Sequence, residues 1–381
     1  MFALSTNLFT TGIQNRGVKA RKMLDKVLLI LLSIFSGYVL ANPVVPDVVH
    51  GQVDFSHQDS KTFNITNTPG TIINWQKFSI NRDETTRFIQ ESAASSVLNR
   101  VTGQSPSDIL GRLLSNGRVF LINPNGIVFG KDAVVDTAGL IASTLDMTNE
   151  DFIAGKLKFQ GNQAGSINNF GFIKAGANGN IFLIAPDIEN GGIIETDGGE
   201  IVLAAGESVT IASLDTEDIL FEVQAPDHKV VNLGQIITNG GAARMFAGTI
   251  KNSGSINADS IRTDKDGNIQ IFASMDIEIS ADATITANGP QGGNVIIESE
   301  AGDVLNAGTI EARGSQQAGG RVEILGERVA LVEEAQIDIS GESGGGEVLI
   351  GGDYQGSNPD VKNASHTYVG EDTVINADAN T

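Results

Sequence analysis

The chain of 381 residues contains no cysteine and few aromatic residues, with one tryptophan and three tyrosines. The absence of cysteine excludes a disulfide framework, a thiolate metal site and a thiol nucleophile. The four histidines have no zinc-binding spacing with a second histidine or a carboxylate on a helix. We therefore predict no metal site and no cofactor.

Positive charge is also scarce, because 25 lysines and arginines face 46 aspartates and glutamates, for a net charge of −21. Nucleic acids and anionic membranes attract basic surfaces, so the acidic balance argues against both as partners. Beyond the first 41 residues, no apolar run is long enough to span a bilayer. The composition predicts a solvated chain with no nucleic-acid partner and no stable membrane insertion.

Residues 1–41 have the pattern of a secretory signal peptide. Basic residues from Arg16 to Lys26 precede the apolar run Val27–Phe35, and cleavage is predicted before Asn42. Met23 is an alternative start, because the lysine that follows it still supplies a positive charge before the apolar run. A membrane anchor is the alternative interpretation, but the apolar run is short for a transmembrane helix.

The most informative segment places Asn123-Pro124-Asn125-Gly126 between two apolar runs. Pro124 fixes φ near −65°, Asn125 tolerates a left-handed conformation, and Gly126 accepts a positive φ without steric cost. The pattern predicts a strand, a tight turn and a second strand, and the simplest such arrangement is a hairpin.

After residue 160, short strands rich in isoleucine and valine recur behind glycines. Four of these glycines, Gly267, Gly293, Gly320 and Gly346, follow one another at intervals of about 26 residues. Their strands alternate apolar and polar residues, and no helical period accompanies them. We predict an all-β fold, a right-handed parallel β-helix in which stacked coils share one narrow core.

We expect residues 42–160 to form an N-terminal β cap and the first coils, and residues 161–381 to form the remaining coils. Residues 44–107 lack the repeat and are expected to fold over the first coil, since an open edge would otherwise promote aggregation. Residues 146–160 predict a small insertion outside the coils that includes a helical turn. Residues 108–114 are expected to form a strand followed by a hairpin-type turn, with a short helix capped by Ser107 as the alternative.

Three segments resemble, in the same order, the secretion domain of the filamentous haemagglutinin family of exoproteins. They are Asn74–Ile80, Ser115–Gly130 and Gly139–Asp146, and the resemblance runs from about Val48 to the last residue. An earlier Asn-Pro-Asn-Leu motif, which some members carry, is not found. The resemblance identifies the secretion signature as Asn123, Pro124, Asn125, Gly126 and Ile127.

The resemblance implies two-partner secretion of a Gram-negative exoprotein. The N-terminal domain would direct export through the periplasm and a cognate outer-membrane β-barrel transporter with periplasmic domains, towards the medium or the cell surface. The signature would either contact the transporter or set a turn that folding requires, and both roles stay open. Trp75 and Phe78 are candidate contacts with the cap or with a partner.

The repeat continues to the last residues, whereas the resembled exoproteins continue further into glycine-rich coils. We expect the chain to be the front of a longer exoprotein, with a natural end as the alternative.

Two other functions stay open at this point. The first is a surface adhesin or haemagglutinin that binds a host-cell or glycan receptor. The second is a polysaccharide-active enzyme, although no spacing of carboxylates singles out a catalytic cluster. The segment Gly341–Gly345 matches the Gly-x-Ser-x-Gly pattern, but no helix pattern follows it as a nucleophile elbow requires. We therefore expect no enzymatic activity.

Overall fold

A computed structural model describes residues 42–161, 165–211, 221–224, 228–263 and 266–380. The predicted signal peptide lies outside these residues. Within them, three long sheets form the faces of a parallel β-helix, and a fourth, small sheet lies outside the coils. From Ser96 onwards, each coil contributes a strand to sheet 1, then to sheet 2, then to sheet 3. The predicted all-β parallel β-helix is thereby confirmed.

The strands are numbered in chain order. Sheet 1 consists of β1 (Val44–His50), β4 (Thr71–Lys77), β6 (Ser96–Val101), β9 (Arg118–Ile122), β12 (Gly139–Ser143), β16 (Ile181–Ala185), β19 (Glu200–Ala205), β24 (Ala242–Ala247), β27 (Asn268–Ala273), β30 (Asn294–Ser299), β33 (Arg321–Leu325) and β36 (Glu347–Ile350). Sheet 2 consists of β7 (Ser107–Ile109), β10 (Ile127–Phe129), β14 (Ile167–Asn169), β17 (Asp187–Asn190), β22 (Lys229–Asn232), β25 (Thr249–Asn252), β28 (Ile277–Ile279), β31 (Asp303–Asn306), β34 (Arg328–Leu331) and β37 (His366–Val369). Sheet 3 consists of β2 (Val53–His57), β3 (Thr62–Asn67), β5 (Thr85–Ile89), β8 (Arg112–Ser115), β11 (Val134–Thr137), β15 (Phe172–Ala177), β18 (Ile193–Asp197), β23 (Gln235–Ile237), β26 (Ser255–Asn257), β29 (Thr284–Thr286), β32 (Thr309–Glu311), β35 (Gln336–Asp338) and β38 (Val374–Asn376).

The N-terminal cap consists of β1 and β2. These two strands pair antiparallel with β4 and β3, whereas the pairs β3–β5 and β4–β6 are already parallel. The prediction that all of residues 44–107 form a cap is therefore wrong, because coil stacking begins at Thr62. The repeat of these first coils could not be recognised in the sequence, because they contain many aromatic and polar residues.

Two turns that the sequence predicts as hairpins, at Asn116–Gly117 and at residues 123–126, are corners between sheets instead. β8 and β9 belong to sheets 3 and 1, and each pairs in parallel with strands of the neighbouring coils. The turn between them, at Asn116–Gly117, therefore changes the direction of the chain without pairing its two flanks. The single strand predicted over residues 108–114 is wrong, because a corner at residues 110–111 divides it into the end of β7 in sheet 2 and most of β8 in sheet 3. Ile109 and Leu113 both point into the core, as predicted.

The core is a column of aliphatic side chains that point inwards from all three sheets. At the end of sheet 2 it contains a ladder of fully buried asparagine amides, each donating to the next coil. The ladder runs Asn169 Nδ2 to Asn190 Oδ1 at 2.8 Å, Asn190 Nδ2 to Asn232 Oδ1 at 2.8 Å, and Asn232 Nδ2 to Asn252 Oδ1 at 2.7 Å. Such ladders satisfy buried polar groups from one coil to the next and fix the register of stacking.

Beside the asparagine ladder, glycines stack at the corner between sheets 2 and 3. A Cβ on Gly192 would lie 2.2 Å from the carbonyl oxygen of Gly171, and one on Gly234 would lie 2.0 Å from that of Gly192. Gly254 meets Gly234 at 2.1 Å in the same way. The close approach of the backbones leaves no room for a side chain at these positions.

Small insertions leave the coils between sheet 1 and sheet 2, as predicted for residues 146–160. The first contains the helix α1 (Asn149–Ile153), which Thr148 caps by accepting a hydrogen bond from the backbone of Asp151, and β13 (Leu157–Gln160). The second contributes β20 (Ser208–Ile211) and β21 (Phe221–Gln224), which form the small fourth sheet with β13. A third insertion contains a 3₁₀ turn at Tyr354–Gly356.

The first two insertions cover the outer face of sheet 1 and create a second apolar core. It includes Ile72, Leu98, Phe120, Ile141, Phe182 and Val202 from sheet 1, and Phe152, Leu157, Phe159 and Val209 from the insertions. This burial on both faces explains the continuous apolar sequence of β16, where every residue is buried. Strand β30, beyond the first two insertions, returns to alternation of buried and half-buried residues.

Beyond the second insertion, the outer face of sheet 1 carries a stacked pair, Phe246 and Phe272, with ring centroids 5.9 Å apart. Glu298 follows on the next coil and is half-buried. Loss of hydration raises the pKa of the Glu298 carboxyl group, while the Lys362 ammonium opposes the shift. The charged carboxylate therefore destabilises the folded state at neutral pH.

We expect Glu298→Gln to raise the free energy of unfolding at pH 7 by less than about 1 kcal/mol, because the carboxylate is only half-buried and solvent screens it. The gain should shrink as the pH falls through the raised pKa, since the folded wild-type protein then takes up the proton. Urea unfolding at pH 7 and pH 4 measures both effects. The same change at Glu334, which is exposed and does not contribute to the shift at Glu298, is the control, and an equal gain there would contradict the assignment to Glu298.

Candidate functional site: the signature corner

The signature residues form the corner that carries the chain from sheet 1 to sheet 2, between β9 and β10. The two strands do not pair with each other: β9 pairs with β6 and β12, and β10 pairs with β7 and β14. The predicted strand, turn and strand are present, but the hairpin is wrong. The turn residues bend the chain here, whereas the stacking of coils determines which strands pair.

The Asn123 side chain is fully buried and uses its hydrogen-bonding capacity on both sides. Its Nδ2 donates to the carbonyl oxygen of Ser105 at 3.0 Å and to Ser107 Oγ at 2.9 Å. Its Oδ1 accepts from the Asn125 backbone at 3.0 Å and from Asn125 Nδ2 at 2.9 Å. Asn123 thus connects its own turn to the loop of the preceding coil.

The backbone of the corner is held from both neighbouring coils. The backbone amide of Asn123 donates to the carbonyl oxygen of Ser143 on the following coil at 2.9 Å. The backbone amide of Ser107 on the preceding coil donates to the carbonyl oxygen of Gly126 at 3.0 Å. Gly126 has a φ of 112°, which a residue with a side chain adopts only with strain. The corner therefore joins three successive coils.

Exposure divides the five signature residues into two groups. Asn123, Gly126 and Ile127 are buried, and Ile127 belongs to the main core. Only Pro124 and Asn125 are exposed, and Asn125 Nδ2 also donates to the carbonyl oxygen of Gly103 at 2.9 Å. The folded corner therefore presents just these two residues to a partner.

Trp75 and Phe78 are fully buried beneath the cap. Trp75 packs edge-on against Phe55 of β2, with ring centroids 5.9 Å apart, and against Phe78 at 5.8 Å. Its indole Nε1 donates to Asn99 Oδ1 at 2.9 Å. In this arrangement neither ring is accessible to a partner of the folded chain.

Sequence reasoning missed Arg100, which attaches the first insertion to the coils. From the outer face of β6, its Nε donates to Asp146 Oδ1 at 2.9 Å and its Nη1 donates to Asn149 Oδ1 at 2.7 Å. Its Nη2 donates to the carbonyl oxygen of Met147. The one signal of this role is the position of the arginine, which stands on strand β6 among residues that are mostly buried.

The Gly-x-Ser-x-Gly match at Gly341–Gly345 lies in a corner loop between β35 and β36, and a strand follows it. The strand-to-helix turn of a nucleophile elbow is therefore not formed there. In the described ranges, no three histidine, aspartate or glutamate side chains gather as a metal site would need. No helix in the described part of the chain has the length and apolar character that a bilayer crossing requires.

The stacked coils, the antiparallel cap and the signature corner define a β-helical secretion domain. Residues 44–289 match the sequence profile of the TPS secretion domain family, and the chain belongs to this family. The crystal structure of the HMW1 secretion domain from Haemophilus influenzae is similar at 36% identity and a TM-score of 0.72, covering 89% of this chain and 84% of that one. The predicted similarity to two-partner secretion domains is thereby confirmed.

Curated relatives are similar over different lengths. A heme/hemopexin-binding protein of Haemophilus influenzae strain Rd is 27% identical over 374 residues, which is 93% of this chain and 38% of that protein. A second Haemophilus influenzae protein of the same name is 33% identical over 129 residues, or 32% of this chain and 14% of that protein. The chain thus spans well under half the length of the curated relatives that it matches.

Proposed function

We propose that this domain directs its own chain through a cognate outer-membrane β-barrel transporter with periplasmic domains, to the medium or the cell surface. The buried hydrogen bonds of Asn123 are the observation that supports the finer assignment of the signature. In the proposal, Asn123, Pro124, Asn125, Gly126 and Ile127 act by fixing a corner that three coils share. Export then depends on the signature through folding.

Coil-by-coil folding suits export through a pore. Each coil of a solenoid is stabilised mainly by its neighbours, so a coil that has emerged and stacked resists being drawn back. The cap, which closes the first edge with β1 and β2, would be the first part to reach the outside if the N-terminus leads. We propose that this stepwise gain in stability biases movement outwards.

Trp75 and Phe78 have a packing role in the same proposal. Their burial between the cap and the first coils joins Phe55 of β2 to the main core, as the aromatic contacts indicate. Large buried aromatic side chains contribute much of the apolar area in such a junction. The cap would hold its place through these rings.

We also propose that the mature domain begins at Asn42 and that the chain is not an enzyme. The family and the structure to which the chain is similar are secretion domains, and its curated relatives are named as binding proteins. The Asn42 amide oxygen accepts a hydrogen bond from Thr86 Oγ1 at 3.2 Å, so the structured part includes this residue.

The route is tested by expressing the chain in a Gram-negative host with and without the two-partner transporter from its source genome. We expect folded, protease-resistant chain in the medium when the transporter is present. Without the transporter, the chain should stay in the periplasm. Equal amounts in the medium of both strains would overturn the proposal, and so would periplasmic retention in both.

A further inference from the structure

A column of polar side chains faces outwards where the later strands of sheet 3 end. It lies two residues beyond the last residues of β26, β29, β32 and β35. Its members are Asp259, Asn288, Arg313 and Ser340. Since successive coils of a parallel β-helix lie about 4.8 Å apart, the column places one polar side chain per coil at that spacing. Asp259 and Asn288 also accept hydrogen bonds from the backbone of the next coil, at 2.7 Å and 2.8 Å.

Backbone hydrogen bonds keep this column in register beyond the end of the sheet. Each of these bonds joins a backbone amide to a carbonyl oxygen of the next coil. They run from Ser260 to Asn288 at 2.7 Å, from Gly289 to Arg313 at 3.0 Å, and from Gly314 to Ser340 at 2.9 Å. Gly289, Gly314 and Gly341 also form bridges with one another from coil to coil. The column is therefore a rigid continuation of the β-helix.

The surface beside the column is concave. A corner loop projects past it and carries the exposed residues Ser315 and Gln316, and the groove has a volume of about 620 Å³. Ile261, which is 98% exposed, lies at the same groove and presents an apolar surface. The groove thus combines hydroxyl, amide and carboxylate groups with one small apolar surface, that of Ile261.

The charges of the groove select against anions. Arg313 Nη2 contacts Glu311 Oε2 at 2.7 Å, and Arg313 Nη1 lies 3.9 Å from Asp338 Oδ2, so its charge is already balanced. Asp259 adds a further carboxylate at the groove. The resulting negative potential repels a carboxylate, sulfate or phosphate ligand.

We propose that this groove binds a neutral oligosaccharide, with successive sugar units lying along successive coils. Amide, hydroxyl and carboxylate side chains supply both donors and acceptors for sugar hydroxyl groups. Ile261 supplies a contact for the apolar face of a sugar ring. This binding is separate from export, and it gives the secreted chain a ligand of its own.

The test applies the purified secreted chain to an array of neutral gluco-, galacto- and manno-oligosaccharides beside uronate-containing and sialylated ones. We expect binding to neutral oligosaccharides and none to acidic ones. Isothermal titration with the best-bound neutral sugar should show that Gln316→Ala weakens binding by about threefold to tenfold, the range of one lost hydrogen bond. Gln316 is exposed, so this variant should fold normally.

Gln336→Ala is the matched control, because Gln336 is exposed at the first residue of β35, at the end of that strand away from the groove. It should bind the sugar as the wild type does, and both variants should keep the wild-type thermal midpoint. The proposal is overturned if no neutral oligosaccharide on the array binds, if an acidic one binds more tightly, or if the two variants lose the same affinity. Secretion does not depend on this groove, so failure here leaves the export proposal intact.

Discussion

Replacing Asn123 with isoleucine is expected to lower the free energy of unfolding by about 3 kcal/mol or more. The substitution leaves the buried Ser107 hydroxyl without its partner, which costs about 1–3 kcal/mol. It also removes the hydrogen bonds to the Ser105 carbonyl oxygen and the Asn125 amide, worth about 0.5–1.5 kcal/mol each. A β-branched side chain also does not fit the space of a hydrogen-bonded amide. Urea unfolding of the purified chain measures the change.

The matched control for this variant is Asn168→Ile. Asn168 lies on the half-buried outer face of β14, and its amide makes one side-chain hydrogen bond, to Ser166 Oγ. We expect this control to change the unfolding free energy by less than about 1 kcal/mol, as is usual for surface positions. If Asn123→Ile unfolds at the same urea concentration as the wild type, the corner does not have the structural role assigned to it.

The substitution Gly234→Ala is expected to be as damaging as Asn123→Ile, although it adds a single methyl group. Its Cβ would lie 2.0 Å from the carbonyl oxygen of Gly192, so two coils must move apart for the methyl group to fit. Separation of the coils would weaken the neighbouring asparagine ladder and the parallel pairing of β18 with β23. We expect a loss of about 3 kcal/mol or more.

Gly344→Ala is the matched control for the glycine stack. A Cβ at Gly344 meets no atom closer than 3.9 Å, so the same methyl group fits there without displacement. Thermal unfolding should show a much lower midpoint for Gly234→Ala and a midpoint near that of the wild type for Gly344→Ala. Equal thermal midpoints for the two variants would show that the coils can move apart at the glycine stack without loss of stability.

The sequence predicted the coils well where strands alternate and glycines mark the corners. The strands after Gly267, Gly293, Gly320 and Gly346 all lie in sheet 1, as expected. The strand β24 was missed, since its alanines, arginine and methionine carry no isoleucine or valine pattern. The second insertion lengthens the interval between β19 and β24, so the repeat did not indicate the position of β24.

The candidate site could be located from the sequence, but its geometry could not. Turn chemistry at residues 123–126 fixes a sharp bend, yet the same residues suit a hairpin and a corner between sheets. The difference depends on β6 and β12, which lie far away in sequence and pair with β9. The burial of Asn123 likewise depends on Ser105 and Ser107 of another coil.

The central claim is that the signature serves export through folding, and the secreted fraction of three proteins tests it most directly. Wild type, Asn123→Ile and Gly234→Ala are expressed with the transporter, and the fraction in the medium is compared with the unfolding free energy of each purified chain. We predict that secretion falls with stability along one curve, whether the change lies inside or outside the signature. The claim is contradicted if Asn123→Ile abolishes secretion while Gly234→Ala, equally destabilised, is exported normally.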